Sequence, residues 1–253
     1  MGGLPADQSR LRRQEIDPIL LKPSAVARAL GAVALVLLLV STAGQLVKFL
    51  TGHDELMGLL SLTFVGNERN IPTLFSVLLL ASASLVCAVT AALARKGKDP
   101  DVWRWVVLSA GFLYLGFDEG LSLHERMSVP IKAYLGDGAL GFSHSFWAIP
   151  GLAGVAVLGL FFQRFLGRLP ARTRRAFLMA GAIYVGGAVG FELIGGNYAE
   201  VHGDENLGYS ALVTVEEGME MGGVIVFIWA VLAHLAEKYG EVRFRLRTGP
   251  PAA

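Results

Sequence analysis

Residues 112–127 read FLYLGFDEGLSLHERM, an apolar run that continues into a group of ionisable side chains. Asp118, Glu119, His124 and Glu125 fall within eight positions. Carboxylates inside a bilayer or at its edge are costly, so a membrane helix that carries three of them needs compensating partners from elsewhere in the chain.

The composition indicates a membrane protein. The chain has 253 residues, of which 53% are hydrophobic and 17% charged, and its mean hydropathy is +0.53. A soluble domain is usually about a quarter charged. The apolar residues form runs of about twenty, the length at which a helix crosses a bilayer. The net charge of +1 gives no indication of nucleic-acid binding, and the single cysteine, Cys87, excludes an internal disulfide and a cysteine metal cage.

The hydropathy pattern predicts an all-α integral membrane bundle of about six transmembrane helices. The predicted spans are 25–49, 71–94, 103–126, 146–167, 175–197 and 210–236. Residues 1–24 and 238–253 are predicted as cytoplasmic tails on either side of a transmembrane domain at 25–237. On this map 17 of the 22 basic residues lie on the side of the two tails. The positive-inside rule therefore predicts that both termini lie in the cytoplasm. The membrane is predicted to be the inner membrane of the cell.

The acidic residues converge on the opposite side. Three spans bring carboxylates to a similar depth near the periplasmic or extracellular surface, and they contribute Asp118, Glu119 and Glu125, then Glu192, then Glu216, Glu217 and Glu220. Since residues seven apart share a helix face, Asp118 and Glu125 are predicted to lie on one face of the third span. Glu216 and Glu220, four apart, share a face of the sixth.

The helix dipole divides these acids into two groups. Glu216 and Glu217 are predicted near the N-terminal end of the sixth span, where a carboxylate is favoured by roughly 0.3–1 kcal/mol. Asp118, Glu125 and Glu192 are predicted near C-terminal ends, which disfavour a carboxylate. The second group therefore needs protons, basic partners or a metal cation.

A divalent metal is the first interpretation. Carboxylates with one or two imidazoles suit Fe, Mn or Zn, and helical bundles build such sites from inward-facing Glu and His. Asp118, Glu125 and either Glu217 or Glu220 are the preferred ligands, with His124 and Glu192 next. The Glu-x-x-His spacing typical of dinuclear sites is absent. Such a site would support redox or hydrolytic chemistry on a membrane-soluble substrate, for example a lipid or a quinone.

Three other interpretations stay open. The acids would also suit a proton- or cation-coupled transporter or channel component. They could dock a partner protein, in which case the chain is an accessory subunit of a larger membrane complex. They could also form a solvated outer rim without chemistry. The sequence leaves open whether the protein is an enzyme.

Glycines indicate close helix packing, because small residues at spacings of three or four let membrane helices approach each other. They lie in the fifth and sixth spans at Gly181, Gly186, Gly187, Gly190, Gly222 and Gly223.

Several motifs together resemble a widespread group of uncharacterised bacterial and archaeal polytopic membrane proteins. They are NIPTLFS at 70–76, FLYL at 112–115 followed by Asp118-Glu119 and His124-Glu125, and Glu216-Glu217 with Glu220. The resemblance covers roughly residues 45–225. It implies a six-span fold in which these acids belong together, and it carries no activity. Within the first motif, Pro72 suits the first turn of a helix and its polar neighbours can cap that helix.

Overall fold

A computed structural model describes residues 21–52, 59–123, 126 and 148–240. Helices and the turns between them account for all of these ranges, which confirms the all-α prediction. The helices are α1 (Pro23–Thr51), α2 (Leu59–Thr63), α3 (Ile71–Lys96), α4 (Val102–Leu121), α5 (Ala148–Arg168), α6 (Ala171–His202) and α7 (Leu207–Tyr239). Of the predicted tails at 1–24 and 238–253, residues 1–20 and 241–253 lie outside the described residues.

Five of the helices, α1, α3, α5, α6 and α7, are long and apolar enough to cross a membrane. The remaining long helix, α4, has 20 residues but carries Arg104 near one end and Asp118 and Glu119 near the other. Many large apolar side chains are exposed on the outer faces, among them Leu35, Leu39, Leu78, Leu85, Leu158 and Leu160. Such surfaces suit lipid rather than water, so the fold is that of a multi-pass helical membrane protein.

Helix α7 lies at the centre of the bundle. It packs against α1, α3 and α6, and α3 packs in turn along α4. Its 33 residues include a long series of buried apolar side chains. Between α3 and α4, the Ser84 hydroxyl lies 2.8 Å from the Ser109 carbonyl oxygen, and the Ser109 hydroxyl lies 2.9 Å from the Ser84 carbonyl oxygen. Paired hydrogen bonds of this kind join membrane helices where there is no water to compete.

The beginning of α3 follows the prediction made from its sequence. Asn70 is its N-cap, and the side-chain Oδ1 accepts a hydrogen bond from the Thr73 backbone N–H at 3.0 Å. Pro72 lies in the first turn, where its missing N–H costs nothing. The Asn70 amide also donates to the Phe64 carbonyl, so this cap holds the incoming chain as well.

The end of α4 differs from the prediction. The helix ends at Leu121, not at residue 126, because Ser122 adopts a left-handed backbone with φ 52° and its N–H bonds the Asp118 carbonyl. A residue in this conformation ends the regular α-helical spacing of side chains. The prediction that Asp118 and Glu125 share one helix face stays a prediction. Glu125 itself lies outside the described residues.

Ion pairs bring the basic helix ends together at one end of the bundle. Asp101, just before α4, pairs with Arg104 and with Arg168 at the end of α5. Asp99 pairs with Lys238 at the end of α7, and Arg172 of α6 lies 3.4 Å from Glu237. The basic residues of these helices thus occupy one end, as the hydropathy map predicts.

The Asp99–Lys238 pair gives a pH-dependent contribution to stability. Burial raises the pKa of Asp99. The Lys238 ammonium and a hydrogen bond of 2.8 Å from the Asp101 N–H to Asp99 Oδ1 lower it by more, so the net pKa lies below its ordinary value of 3.8. A carboxylate with a lowered folded-state pKa stabilises the fold above its unfolded pKa, and that contribution is lost as the pH falls through the folded value. We expect Asp99→Asn to cost at most about 1 kcal/mol at pH 7, because the pair is partly exposed.

Urea unfolding of the detergent-purified protein at pH 7 and at pH 3 measures this effect. The difference between wild type and Asp99→Asn should shrink at the lower pH. Asp204→Asn, which removes an exposed carboxylate from the turn before α7, controls for the loss of one charge. An Asp99→Asn difference that stays constant or grows on acidification would contradict this role for the pair.

Candidate functional site

A π-helical turn interrupts α6 at Gly186–Phe191, directly before Glu192. There the Glu192 N–H bonds the Gly187 carbonyl five residues back, which widens the helix. The turn fits closely against α7: a Cβ added to Gly187 would lie 2.8 Å from the Glu216 carbonyl oxygen and 3.0 Å from the Met219 Cβ. Glycine is needed at this position because only its backbone can come this close to α7.

This approach brings two carboxyl groups into contact. The carboxyl groups of Glu192 and Glu216 lie within hydrogen-bonding reach of each other, and both residues are partly buried. An ionised carboxylate only accepts hydrogen bonds, so two carboxyl groups can bond to each other only by sharing a proton. Two carboxyl groups this close repel each other when both are ionised.

Three further carboxyl groups surround this pair. Glu217 interacts electrostatically with Glu119 of α4 and with Glu192, and Glu220 interacts with these two and with Glu216 and Glu217. We call Glu119, Glu192, Glu216, Glu217 and Glu220 the acid cluster. Its members come from α4, α6 and α7, the helices of the predicted third, fifth and sixth spans. The predicted convergence of these three spans is thus present in the fold.

Tyr184 of α6 also belongs to this site, although sequence reasoning missed it. Its hydroxyl group lies in the field of Glu220, Glu119, Asp118 and Glu217. The available signal was its spacing, since Tyr184 precedes Glu192 by eight residues, about two turns, within an otherwise apolar run. A tyrosine hydroxyl in an apolar setting usually finds a hydrogen-bond partner.

The cluster lies deeper in its helices than the sequence predicted. Glu216 lies nine residues after the first residue of α7, which is about 14 Å along the helix axis. Glu192 lies ten residues before the last residue of α6, which is about 15 Å. The dipole effect is confined to the first and last turns. The predicted dipole stabilisation of Glu216 and Glu217, and the predicted destabilisation of Glu192, were therefore wrong.

The other predicted site residues have different positions. Asp118 lies in the last turn of α4, beside Glu119. Its charge acts on the Tyr184 hydroxyl group. His124 and Glu125 fall outside the described residues. Within the described ranges, no group of three or more His, Cys, Asp or Glu side chains is arranged to hold a metal ion.

The fold and the cluster define a multi-pass helical membrane protein with an acidic site within its bundle. The chain belongs to the family described as Domain of unknown function (DUF8692), whose model matches residues 28–235. That range covers α3 to α6 entirely and most of α1 and α7, with every member of the acid cluster. The chain matches none of the curated proteins and none of the solved structures.

Proposed function

We propose that the acid cluster takes up and releases protons or another cation, and that the protein is a proton- or cation-coupled transporter component. The observation that carries this proposal is the close approach of the carboxyl groups of Glu192 and Glu216. A shared proton between two carboxyl groups is labile, because a change in its surroundings can move it to a nearby acceptor. Glu217 and Glu220 supply such acceptors close by.

The charge balance around the cluster supports a cationic cargo. In the described part of the chain, the charged groups acting on Glu217 and Glu220 are all carboxylates. Carboxylates gathered away from water need protons or cations for compensation. Such groups in membrane helices commonly mark proton relays and ion pathways.

The π turn beside Glu192 supports the same proposal. π-helical turns are rare and occur frequently at functional sites. Transporters commonly place discontinuous helices at their ion sites, because irregular backbone is tolerated where it lines a cavity. The glycines at 186, 187 and 190 make an irregular segment in α6 possible.

For the orientation, we propose that the basic end faces the cytoplasm and that α4 forms the third of six spans in the inner membrane. Both termini then lie in the cytoplasm, and the acid cluster lies toward the periplasmic or extracellular side. A lipid or quinone substrate and a partner membrane protein stay predictions.

Proton flux into liposomes that contain a pH-sensitive dye tests the proposal. We expect the wild type to conduct protons under an imposed potential, and Glu216→Gln to lower the rate roughly 100-fold, the scale of a lost proton-transfer group. The glutamine amide can still donate a hydrogen bond to Glu192, so the fold should be kept. Glu237→Gln, at the basic end, serves as the matched control. Wild-type flux no higher than in protein-free liposomes, or equal flux in both variants, would contradict the proposal.

A divalent metal is the second candidate function. Its support is that carboxylates of three helices already meet, and that His124 and Glu125 follow Glu119 closely enough in the chain to complete a ligand set. Iron, manganese or zinc would fit these donors and would supply redox or hydrolytic chemistry at the site. Elemental analysis of the purified wild type, Glu125→Ala and Glu217→Ala distinguishes this candidate. Near-stoichiometric metal that both variants lose would establish it, whereas a metal-free, folded wild type would exclude it.

A further inference from the structure

A second site lies at the basic end of the bundle, on the other side of the molecule from the acid cluster. A cavity of about 770 Å³ opens there between the turn at residues 97–101 and the ends of α5 and α7. Trp105, Phe165 and Leu169 form its apolar wall, and Lys98, Arg168 and Lys238 are its basic lining residues. The proposed transport function uses none of these residues.

His234 is the unusual member of this lining. Its side chain is nearly fully buried, at 5% exposure, and its ring stacks on Trp105 with centroids 5.6 Å apart. Among the described residues, its Nδ1 atom has no hydrogen-bond partner. Buried polar atoms are nearly always paired, so an unpaired one at a cavity needs an explanation. The atom is closed off from solvent, so a ligand group held in the cavity supplies the missing partner after a small movement of the ring.

The charges around the cavity favour an anion. Five basic side chains and three carboxylates line it or pair with residues that do: Lys98, Arg104, Arg168, Arg172 and Lys238, with Asp99, Asp101 and Glu237. Asp101 is bound by two guanidinium groups, Arg104 and Arg168. Each of the three carboxylates therefore has a basic partner, and two positive charges remain in excess.

We propose that this cavity binds a phosphate-bearing anion. The phosphate group accepts a hydrogen bond from His234 Nδ1–H once the ring shifts toward the cavity. It is balanced by the two excess positive charges, while Trp105, Phe165 and Leu169 contact the carbon part of the ligand. Basic pockets between membrane helices bind anionic lipid headgroups in this way. The phosphate belongs either to such a headgroup or to a free anion, and binding measurements separate these two sources.

Isothermal titration of the detergent-purified full chain tests the proposal. The probes are inorganic phosphate, short-chain phosphatidylglycerol and short-chain phosphatidylcholine, whose headgroup carries no net charge. We expect phosphatidylglycerol to bind and phosphatidylcholine to bind at least about tenfold more weakly. His234→Phe, which keeps a ring against Trp105, should weaken phosphatidylglycerol binding about tenfold or more. His202→Phe is the matched control, because His202 is exposed and stacks on Tyr198 at the end of α6.

Binding of phosphatidylglycerol alone identifies a lipid headgroup as the source, and binding of inorganic phosphate as well identifies the phosphate group itself. The proposal is overturned if the wild type binds neither, if it binds both lipids equally, or if His234→Phe binds like the wild type. Should His234→Phe fail to fold, Lys98→Gln removes one of the excess charges at an exposed position. Binding by this variant that equals wild type at low salt would then overturn the proposal.

Discussion

Replacing Gly223 with alanine is expected to destabilise the bundle by roughly 1–3 kcal/mol, the usual cost of overpacking a well-packed interior. A Cβ at this position would lie 2.8 Å from both the backbone nitrogen and the Cβ of Tyr184, and 2.9 Å from the Ala180 carbonyl oxygen. These are backbone and near-backbone atoms of α6, which cannot rotate away as the tip of a side chain can. The helices α6 and α7 would therefore have to separate, and the distance between Glu192 and Glu216 would change with them.

Thermal unfolding in detergent measures the effect, and Gly181→Ala is the matched control. An added Cβ at Gly181 meets no atom within 4 Å, so this change should be neutral or stabilising by up to about 1 kcal/mol through helix propensity. Equal unfolding temperatures for the two variants would show that α6 and α7 do not pack as described. Gly223→Ala should also lower the proton flux, because the same movement disturbs the shared proton.

Replacing Trp105 with alanine is expected to cost about 3–5 kcal/mol, the range for truncating a fully buried aromatic side chain. Trp105 is 1% exposed and makes edge-to-face contacts with Phe165 at 5.2 Å and Phe177 at 6.0 Å. It also stacks on His234. Its loss would thus leave a void where α4, α5, α6 and α7 meet.

Urea or thermal unfolding of Trp105→Ala and Trp103→Ala compares a buried tryptophan with its exposed neighbour. Trp103 is 47% exposed and meets Phe161 in one edge-to-face contact, so its truncation should cost about 1 kcal/mol. If the two variants lost equal stability, Trp105 would not occupy the core position described. A phosphate-bearing ligand should bind Trp105→Ala more weakly, since His234 loses its stacking partner.

The helices could be predicted from the sequence because the length of an apolar run is a local property. The described ends of α1 and α3, and the C-terminal end of α5, lie within two residues of the predicted ones. The end of α4 could not be predicted in this way. The left-handed Ser122 ends the helix two residues after Gly120. The sequence does not place the stop there, because Gly116 and Gly120 are equally compatible with a helix that continues.

The convergence of the acids could also be predicted, because charge patterning gives the side of the membrane for each helix end. The rotation of α4 about its axis could not, since it depends on which neighbours the helix packs against. As a result Glu119 acts on Glu217 and Glu220, whereas the charge of Asp118 acts on Tyr184. The π turn escaped prediction because glycines at 186, 187 and 190 are equally compatible with regular close packing.

Infrared spectroscopy of the purified wild type at neutral pH tests the shared proton most directly, because the carbonyl stretch of a protonated carboxyl group is separate from that of a carboxylate. We expect such a band in the wild type, a smaller band in Glu216→Gln, and no change in Glu237→Gln. Absence of a protonated-carboxyl band from the folded wild type, or a band that Glu216→Gln leaves intact, would contradict a proton held between Glu192 and Glu216.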